Sequence, residues 1–254
     1  MKTIALYSIK GGVGKTAACV NLAYLAAIGG VATLLCDLDP QGSSTFYFRI
    51  QPKPKYSSRK FLKGGKWLDK AIRGTDFQGL DLLPADLSYR NLDIQLNGFT
   101  KSRQRLRRLL ESFKGRYGYV FLDCPPNITL VSENVFEAAD AILVPLIPTT
   151  LSMLTYTKLY RFFEDTGLDR RKLHPFFSMV EPRKLMHRQT IQETIATKIH
   201  LMNTYIPYNA DVEKMGFFRQ PLMHYRPAAM AALAFAKLWK EIKTHIPEEK
   251  TNGS

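Results

Sequence analysis

Cysteine is scarce in this chain: Cys19, Cys36 and Cys124 are the only three in 254 residues. Their spacing fits no metal-binding pattern, and each falls within or beside a predicted core element. We therefore expect reduced, buried thiols, as in a cytosolic protein. The five histidines are scattered along the chain and offer no ligand cluster. These shortages argue against a disulfide scaffold and against a zinc module.

Long apolar runs are also missing. No run approaches the roughly 18–20 residues that cross a membrane as a helix. The N-terminus leads directly into a strand-like run, which leaves no room for a signal peptide. We therefore expect a cytoplasmic protein without integral membrane association.

Acidic residues are few relative to basic ones, with 22 Asp and Glu against 36 Lys and Arg and a formal net charge of +14. The basic residues concentrate at 53–73, 101–116 and 170–188. A charge this large favours a polyanionic partner over an ordinary solvated surface, and nucleic acid is the obvious candidate.

Short apolar runs alternate with helix-like segments along most of the chain. Strand-like runs are predicted at 2–8, 31–37, 80–84, 118–123, 140–147, 174–180 and 203–207. Helices are predicted at 15–28, 101–114, 130–138, 151–165, 188–201 and 227–244. The alternation predicts an α/β fold, a doubly wound and mostly parallel sheet with helices on both faces.

The length suits a single domain, which we place at 1–246. Residues 45–75 hold many basic and turn-forming side chains. We interpret them as a basic insertion with one short helix near 66–73. Residues 247–254 form a predicted polar tail.

A glycine-rich loop follows the first strand-like run. Residues 10–16 read Lys-Gly-Gly-Val-Gly-Lys-Thr and lead into a predicted helix. Glycines allow positive φ and close approach of backbone N–H groups to an anion, and the helix start adds unpaired N–H groups. In such a phosphate loop Lys15 reaches the β- and γ-phosphates, and the Thr16 hydroxyl binds Mg²⁺. Ile9 replaces the first glycine of the common pattern.

Two aspartate motifs end later strands. Residues 37–42 read D-L-D-P-Q-G, and residues 123–126 read D-C-P-P. Carboxylates beyond the carboxyl ends of parallel strands lie in the crevice where open α/β sheets bind ligands. Taken alone, the first motif also fits an ordinary Asp-Pro turn and the second a strand-terminal cap. If the second motif is functional, the Asp123 carboxylate would bind Mg²⁺, either directly or through a water molecule.

Together, in this order, the three motifs resemble those of the ParA/MinD ATPases, P-loop NTPases with a deviant Walker A motif, and most closely the ParA/Soj partitioning ATPases. The resemblance implies a P-loop NTPase fold, ATP and Mg²⁺ as ligands, and slow ATP hydrolysis that a partner stimulates. It also implies that Lys10 reaches across a dimer interface to the partner's nucleotide and that Asp39 positions the attacking water. Ala17 departs from the family, in which many members carry a second hydroxyl residue here.

The resemblance extends loosely to the base. Residues 206–209 read I-P-Y-N and are similar to the family's I-P-R-N near adenine, with Tyr208 in place of arginine. Residues 179–183 resemble the other loop that approaches the base, although a strand-end turn explains each loop equally well. The implied catalytic residues are Lys10, Lys15 and Asp39, and the implied metal ligands are Thr16 and Asp123. The implied nucleotide contacts are Lys10, Gly11, Gly12, Val13, Gly14, Lys15, Thr16, Ala17, Pro207 and Asn209.

The expected function is that of a partitioning ATPase. ATP would close a nucleotide-sandwich homodimer, which binds DNA without sequence preference and is nucleoid-associated. A ParB-like or adaptor protein would stimulate hydrolysis, and the cargo would be a plasmid, a chromosome or a protein assembly. ParA-like proteins bind DNA through basic residues of the C-terminal half, so the DNA candidates are Arg183, Lys184, Arg188 and Arg219.

Three other interpretations stay open. A MinD-like membrane-cycling ATPase needs a C-terminal amphipathic helix, whereas the apolar residues of 227–244 have core spacing. A metabolic relative, such as a nitrogenase iron-protein type or an ATP-dependent synthetase, shares the loop, but the iron protein needs bridging cysteines. A scaffold that binds nucleotide without hydrolysis disagrees with the joint presence of Lys15, Thr16, Asp39 and Asp123.

Overall fold

The computed structural model describes residues 1–52, 56–197 and 199–246. Within these ranges the strands form one seven-stranded sheet in the order β3-β4-β2-β5-β1-β6-β7. The strands are β1 (Lys2–Leu6), β2 (Thr33–Asp37), β3 (Arg73–Gly74), β4 (Leu80–Leu83), β5 (Tyr119–Asp123), β6 (Ala141–Leu146) and β7 (Leu173–Phe177). Every pairing is parallel except that of the two-residue β3 with β4. The predicted α/β fold with a mostly parallel sheet is confirmed.

Helices cover both faces of the sheet. The first ones are α1 (Lys15–Ile28), α2 (Ser43–Tyr47), α3 (Ser58–Lys63), α4 (Lys66–Ala71), α5 (Leu92–Asn97) and α6 (Arg105–Glu111). They are followed by α7 (Leu130–Ala138), α8 (Thr150–Thr166), α9 (Leu185–Ala196), α10 (Ala210–Glu213), α11 (Met215–Phe218), α12 (Leu222–Tyr225) and α13 (Met230–His245). Short 3-10 turns occur at 87–91, 102–104 and 170–172.

The alternation of side chains along the central strand separates two apolar layers. Ala5 of β1 belongs to the layer under α6, α7 and α8, whereas Ile4 and Leu6 belong to the layer under α1 and α13. The strands are buried on both faces, which is why they read as continuous apolar runs in the sequence. All three cysteines are free and buried, as predicted.

The helix α13 closes the second layer. Its residues with core spacing, Phe235, Leu238, Trp239 and Ile242, are all buried. The apolar face that a membrane-docking helix needs is therefore already occupied by the core. In the described part of the chain, no helix is both long and apolar enough to cross a membrane.

The strand predicted at 203–207 is wrong. Residues 199–206 run along β7, with the Met202 amide donating to the Pro175 carbonyl, but the ladder does not continue regularly. The amides of Asn203 and Thr204 donate instead to the Glu241 carboxylate at 2.6 and 2.9 Å. Only an isolated bridge, from Val180 to position 207, pairs the end of this segment.

Helix bounds differ from prediction in two other places. The helix predicted at 101–114 spans only 105–111, because a 3-10 turn precedes it and i→i+3 hydrogen bonds close its last turn. The helix predicted at 188–201 begins and ends earlier, at 185–196.

Residues 45–75 hold more structure than the one short helix expected. Parts of α2 and all of α3 and α4 lie here, and Tyr56, Phe61, Leu62 and Leu68 are buried in the first apolar layer. The segment therefore contributes to the core. The assignment of residues 45–75 as an insertion stays a prediction, and so does the assignment of residues 1–246 as one domain. The predicted tail, 247–254, lies outside the described residues.

Candidate nucleotide site

The glycine-rich loop connects β1 to α1 at the carboxyl edge of the sheet. Gly12 and Gly14 have φ of 70° and 86°, a conformation that side chains other than glycine rarely adopt. A Cβ added at Gly11 or Gly12 would meet no atom within 4 Å, so the loop faces open space. A Cβ at Gly14 would lie 3.0 Å from the Ser178 hydroxyl, which places the loop after β7 directly against the glycine-rich loop.

Unpaired backbone amides line this loop. The ladder of α1 begins with the Ala18 amide, which donates to the Gly14 carbonyl, and Gly14 offers no side-chain cap. The amides of residues 11–17 donate to no other residue in the described ranges. Such a row of N–H groups at the positive end of a helix dipole is an anion-binding site.

Lys15 adds a positive charge inside the loop. Its side chain is buried, and Nζ donates to the Lys10 carbonyl at 3.4 Å. Burial lowers the pKa of Lys15, and the negative charges of Asp123 and Asp39 oppose that shift. Lys10 is half-buried and its ammonium pairs with none of the described residues.

Two aspartates meet behind the loop. Asp37 and Asp123 are register partners at the ends of β2 and β5, and both are buried. Asp37 Oδ2 accepts from the amide and hydroxyl of Thr45 at 2.8 and 2.7 Å. Burial raises the pKa of Asp37, and the charge of Asp123 raises it further. The sequence predicted a role for Asp123 and Asp39 and did not recognise Asp37 as their buried neighbour.

Asp123 retains one free oxygen. Its Oδ2 accepts from the Ser44 hydroxyl at 2.7 Å, whereas its buried Oδ1 has no hydrogen-bond partner in the described part of the chain. Burial raises the pKa of Asp123, and the Ser44 and Thr16 hydroxyls and the Lys15 ammonium oppose the shift. Mg²⁺ in nucleotide sites takes one or two protein oxygens and completes its ligand set with phosphate oxygens of the substrate and with water, so a carboxylate oxygen without a partner beside a hydroxyl suits it. Thr16 and Asp123 therefore fit a magnesium ion.

Asp39 sits in a turn at the mouth of the site. Its Oδ1 accepts from the Gln41 amide at 2.9 Å, and its carbonyl accepts from the Gly42 amide at 2.9 Å. The turn explanation of this motif is thus correct, but it does not exclude function. Asp39 is half-buried, and its charge acts on both Lys15 and Asp123.

The two loops assigned to the base come together. The Val180 amide donates to the Ile206 carbonyl at 3.0 Å, and the Tyr208 amide donates to the Val180 carbonyl at 2.9 Å. A cavity of about 590 Å³ beside them is lined by Val180, Pro182 and Pro207. Asn209 lies apart from this cavity, because its side chain caps α10 by accepting from the Asp211 amide at 2.7 Å.

The basic DNA candidates occupy two places. Arg183, Lys184 and Arg188 lie together at the start of α9, all exposed, and Lys184 pairs with Glu181 at 2.5 Å. Arg183 and Arg188 form no ion pair with any described residue. Arg219 is separate: its guanidinium lies 4.4 Å from the centre of the Phe46 ring and donates to the Phe46 carbonyl.

Three hydroxyl residues of the site were missed in the sequence. Ser44 and Thr45 hold the buried aspartates, and Ser178 contacts the loop at Gly14. The first two lie in the hydroxyl-rich run 43–45 that follows the D-L-D-P-Q-G motif, so hydroxyl residues at the start of the next helix were an available signal. Ser178 carried no such signal, because only the fold brings it to residue 14.

Known proteins are similar to this chain over most of its length. The family model described as an AAA domain matches residues 1–174. The chain is 30% identical over 254 residues to the chromosome partitioning protein ParA of Caulobacter vibrioides, covering 95% of this chain and 94% of that protein.

Solved structures share the fold. Cobyrinic acid a,c-diamide synthase from Mycobacterium smegmatis with bound ADP and magnesium has a TM-score of 0.80 at 23% identity, covering 98% of this chain and 97% of that one. A plasmid partition protein of Borrelia burgdorferi bound to AMPPNP has a TM-score of 0.80 at 21% identity, covering 96% and 98%. Since the sequence relative covers nearly the full length at 30% identity, the chain belongs to the ParA family of P-loop ATPases.

Proposed function

We propose that this chain is a partitioning ATPase that binds ATP and Mg²⁺, dimerises around the nucleotide, binds DNA and releases it on hydrolysis. The proposal depends on three features of one site: the unpaired amides of residues 11–17, the buried ammonium of Lys15, and the Asp123 oxygen without a partner. Two of the similar proteins are named for chromosome or plasmid partition.

Each residue of the site has a chemical task. The amides of 11–17 hold the phosphates, and Lys15 neutralises the charge that develops on them. Thr16 and Asp123 hold the magnesium ion, which supplies further positive charge to the phosphate oxygens when bound. Asp39 orients the attacking water at the mouth of the site. Pro207 contributes one wall of the base pocket, and Asn209 acts by fixing the start of α10 next to that wall.

Dimerisation would complete the site. Lys10 has an ammonium without a partner in the described residues, so it is free to reach a second nucleotide. Large apolar side chains are exposed after β5, β6 and β7, at the same edge of the sheet as the loop. They are Ile128, Leu151, Leu154, Leu185 and Met186. Exposed apolar area of this kind marks protein interfaces.

DNA binding and partner stimulation follow from charge and from the family. The net charge of +14 favours a polyanion, and Arg183 and Arg188 offer exposed cations that no described carboxylate neutralises. Binding through phosphates is independent of sequence and strongly salt-dependent. A ParB-like or adaptor protein would accelerate otherwise slow hydrolysis on the nucleoid.

The test compares DNA binding and oligomeric state in ATP, ADP and no nucleotide. Wild type is measured beside Lys10→Ala, Asp39→Ala and the binding-deficient control Lys15→Ala, by light scattering and by fluorescence anisotropy with a random-sequence duplex. We expect Lys10→Ala to bind ATP but to lose dimers and DNA binding. Asp39→Ala should keep both and lose turnover.

Each part of the proposal fails on a different result. Normal ATP-dependent dimers of Lys10→Ala would show that the cross-interface role is wrong. Turnover by Asp39→Ala at the wild-type rate would remove the water-orienting role. DNA binding that depends neither on nucleotide nor on salt concentration would contradict the proposed partition function. The proposal that the site binds nucleotide would not be affected by that result.

A further inference from the structure

A second cavity, of about 660 Å³, lies beside the edge strand β7 and far from the glycine-rich loop. The start of β7 lines it, and the strand start is at the opposite edge of the sheet from the loop. The other walls come from α8, the 3-10 turn at 170–172, residues 197 and 199–202, and the end of α13. Four separate segments of the chain therefore converge on one space.

Three of the five histidines, which are scattered in the sequence, line this cavity. They are His174, His200 and His245, and the rings of His174 and His245 lie 6.0 Å apart. The ring nitrogens of these three histidines form no hydrogen bond with a described residue. Burial lowers the pKa of His174 to about 4, and the charges of His245 and His200 lower it too.

No carboxylate of the described residues lines the cavity. Glu241, one turn before His245, is directed to the amides of Asn203 and Thr204. Arg170 and Arg171 at the rim pair with Glu164 and Asp169, and both pairs are solvent-exposed. Exposed ion pairs contribute little free energy, so each arginine can leave its carboxylate for a better acceptor. Apart from the histidines, the charged side chains that line the cavity are therefore the two arginines, Arg170 and Arg171.

Tyr156 adds a donor from inside. The residue is only 4% exposed, and its hydroxyl forms no hydrogen bond with a described residue. Because Tyr156 lines the cavity, this hydroxyl can donate to a ligand there. The ring of Tyr160 lies 6.4 Å from that of Tyr156, and Arg170 lies 5.0 Å from the Tyr160 ring.

We propose that this cavity binds a small phosphate monoester with an aromatic or apolar body. Imidazole, guanidinium and phenol groups are the donors that a phosphate accepts from, and several of them surround one space. The tyrosine rings together with Leu173, Leu201 and Met202 provide walls for the body of the ligand. The volume lies in the range of small-molecule sites. A metal does not fit, since no group of three or more His, Cys, Asp or Glu in the described ranges is arranged to hold one.

The test uses the five histidines as internal reporters. Full-length protein labelled on histidine is titrated with phenyl phosphate and followed by NMR of the ring Cε1–H signals, with saturating ADP and Mg²⁺ present to occupy the glycine-rich loop. We expect saturable shifts of His174, His200 and His245, while His187 and His224 stay unchanged. Inorganic phosphate should need at least about tenfold more ligand, because it leaves the apolar walls unfilled.

Binding should also depend on one hydroxyl. Tyr156→Phe removes a single donor and should weaken binding about fivefold, the equivalent of one ordinary hydrogen bond. Tyr205→Phe, outside the cavity, is the matched control and should bind as wild type. Unchanged unfolding curves establish that both variants are folded.

The absence of a saturable shift up to about 10 mM phenyl phosphate would overturn the proposal, because the affinity would then be weaker than about 10 mM. Equal shifts with phenol, which lacks the phosphate, or parallel shifts of all five histidines would overturn it too. So would an unchanged affinity of folded Tyr156→Phe. Equal half-saturation by inorganic phosphate would contradict the aromatic or apolar body that the proposal requires.

Discussion

Asp37 and Asp123 are register partners on the adjacent parallel strands β2 and β5, so two buried carboxylates lie side by side where the strands end. Consecutive residues of α2 hold them: Ser44 donates to Asp123, and Thr45 donates to Asp37. The short helix after the D-L-D-P-Q-G motif is therefore bonded to both aspartates. One oxygen, Asp123 Oδ1, is left over in the described chain for a metal ion.

Replacing that oxygen should remove the metal dependence of the site. We expect Asp123→Asn to lower Mg²⁺-dependent ATP turnover at least about 100-fold, because the ion loses its charged protein ligand. Nucleotide binding without Mg²⁺ should persist, since the loop amides are untouched. Phosphate release and nucleotide fluorescence measure the two quantities, and Asp76→Asn, an exposed aspartate paired with Arg49, is the control. Equal losses in both assays would mean that Asp123 acts on the fold and not on the metal.

The bond between Thr45 and Asp37 should be important for stability. The Thr45 hydroxyl donates to Asp37 and accepts from the Ala85 amide at 2.9 Å, and the residue is buried. Thr45→Val leaves the Ala85 amide without its partner and leaves Asp37 Oδ2 with only the Thr45 amide, so we expect the free energy of unfolding to fall by about 1–3 kcal/mol. Thr45→Ser keeps the hydroxyl and should lose less than half as much. Denaturant titration measures the loss, and a free energy of unfolding of Thr45→Val equal to that of wild type would show that the hydroxyl does not stabilise the fold.

Two neighbouring glycines should respond differently to alanine. Gly14 has φ of 86°, and a Cβ there would approach Ser178 to 3.0 Å. Gly11 has no positive φ and open space around its Cα. Gly14→Ala should therefore weaken ATP binding at least about tenfold, because the loop must change shape, whereas Gly11→Ala should weaken it far less. Titration calorimetry with ATP compares them, and similar affinities would show that the loop tolerates a Cβ at both positions.

The basic residues at the start of α9 should set the salt dependence of DNA binding. Removing Arg183 and Arg188 together should reduce the slope of log affinity against log salt by about 0.9 for each DNA phosphate that the two arginines neutralise. Arg116→Ala, which removes an exposed arginine paired with Asp69 ahead of β5, is the control. Anisotropy over a series of salt concentrations gives the slopes. If Arg116→Ala lowers the slope and the double arginine variant does not, the DNA surface lies at the other edge of the sheet and the assignment to α9 is wrong.

Protonation of His174 should destabilise the protein in acid. Its pKa falls from 6.5 to about 4 in the folded chain, because burial disfavours the cation. Between these values the unfolded chain binds more protons than the native one, so stability is full above pH 6.5 and is lost as pH falls toward 4. His174→Gln should flatten this decline by up to about 1.4 kcal/mol per pH unit. His224→Gln is the control, and an unchanged slope in His174→Gln would assign the acid sensitivity to other groups.

Much of the fold and part of the site were predictable from local sequence. The alternation of apolar strands and amphipathic helices predicted the α/β sheet, and the helix at 130–138 was predicted with the observed bounds. The glycine-rich loop was recognisable because its amides, its lysine and its threonine are contiguous in the chain. The segment 203–207 was misread because its apolar composition fits a strand, whereas Glu241 from a distant helix takes two of its amides.

The sequence by itself determined the contiguous chemistry: the loop at 10–17, the aspartates that end β2 and β5, and the excess of positive charge. Only the tertiary structure decided which distant groups share a site. The parallel register set Asp37 beside Asp123, α2 directed Ser44 and Thr45 to them, and the fold brought three separated histidines to one cavity. The reason is physical: backbone conformation and helix ends are set by neighbours in sequence, whereas burial and side-chain partners depend on strand pairing across 80 or more residues, as between positions 37 and 123.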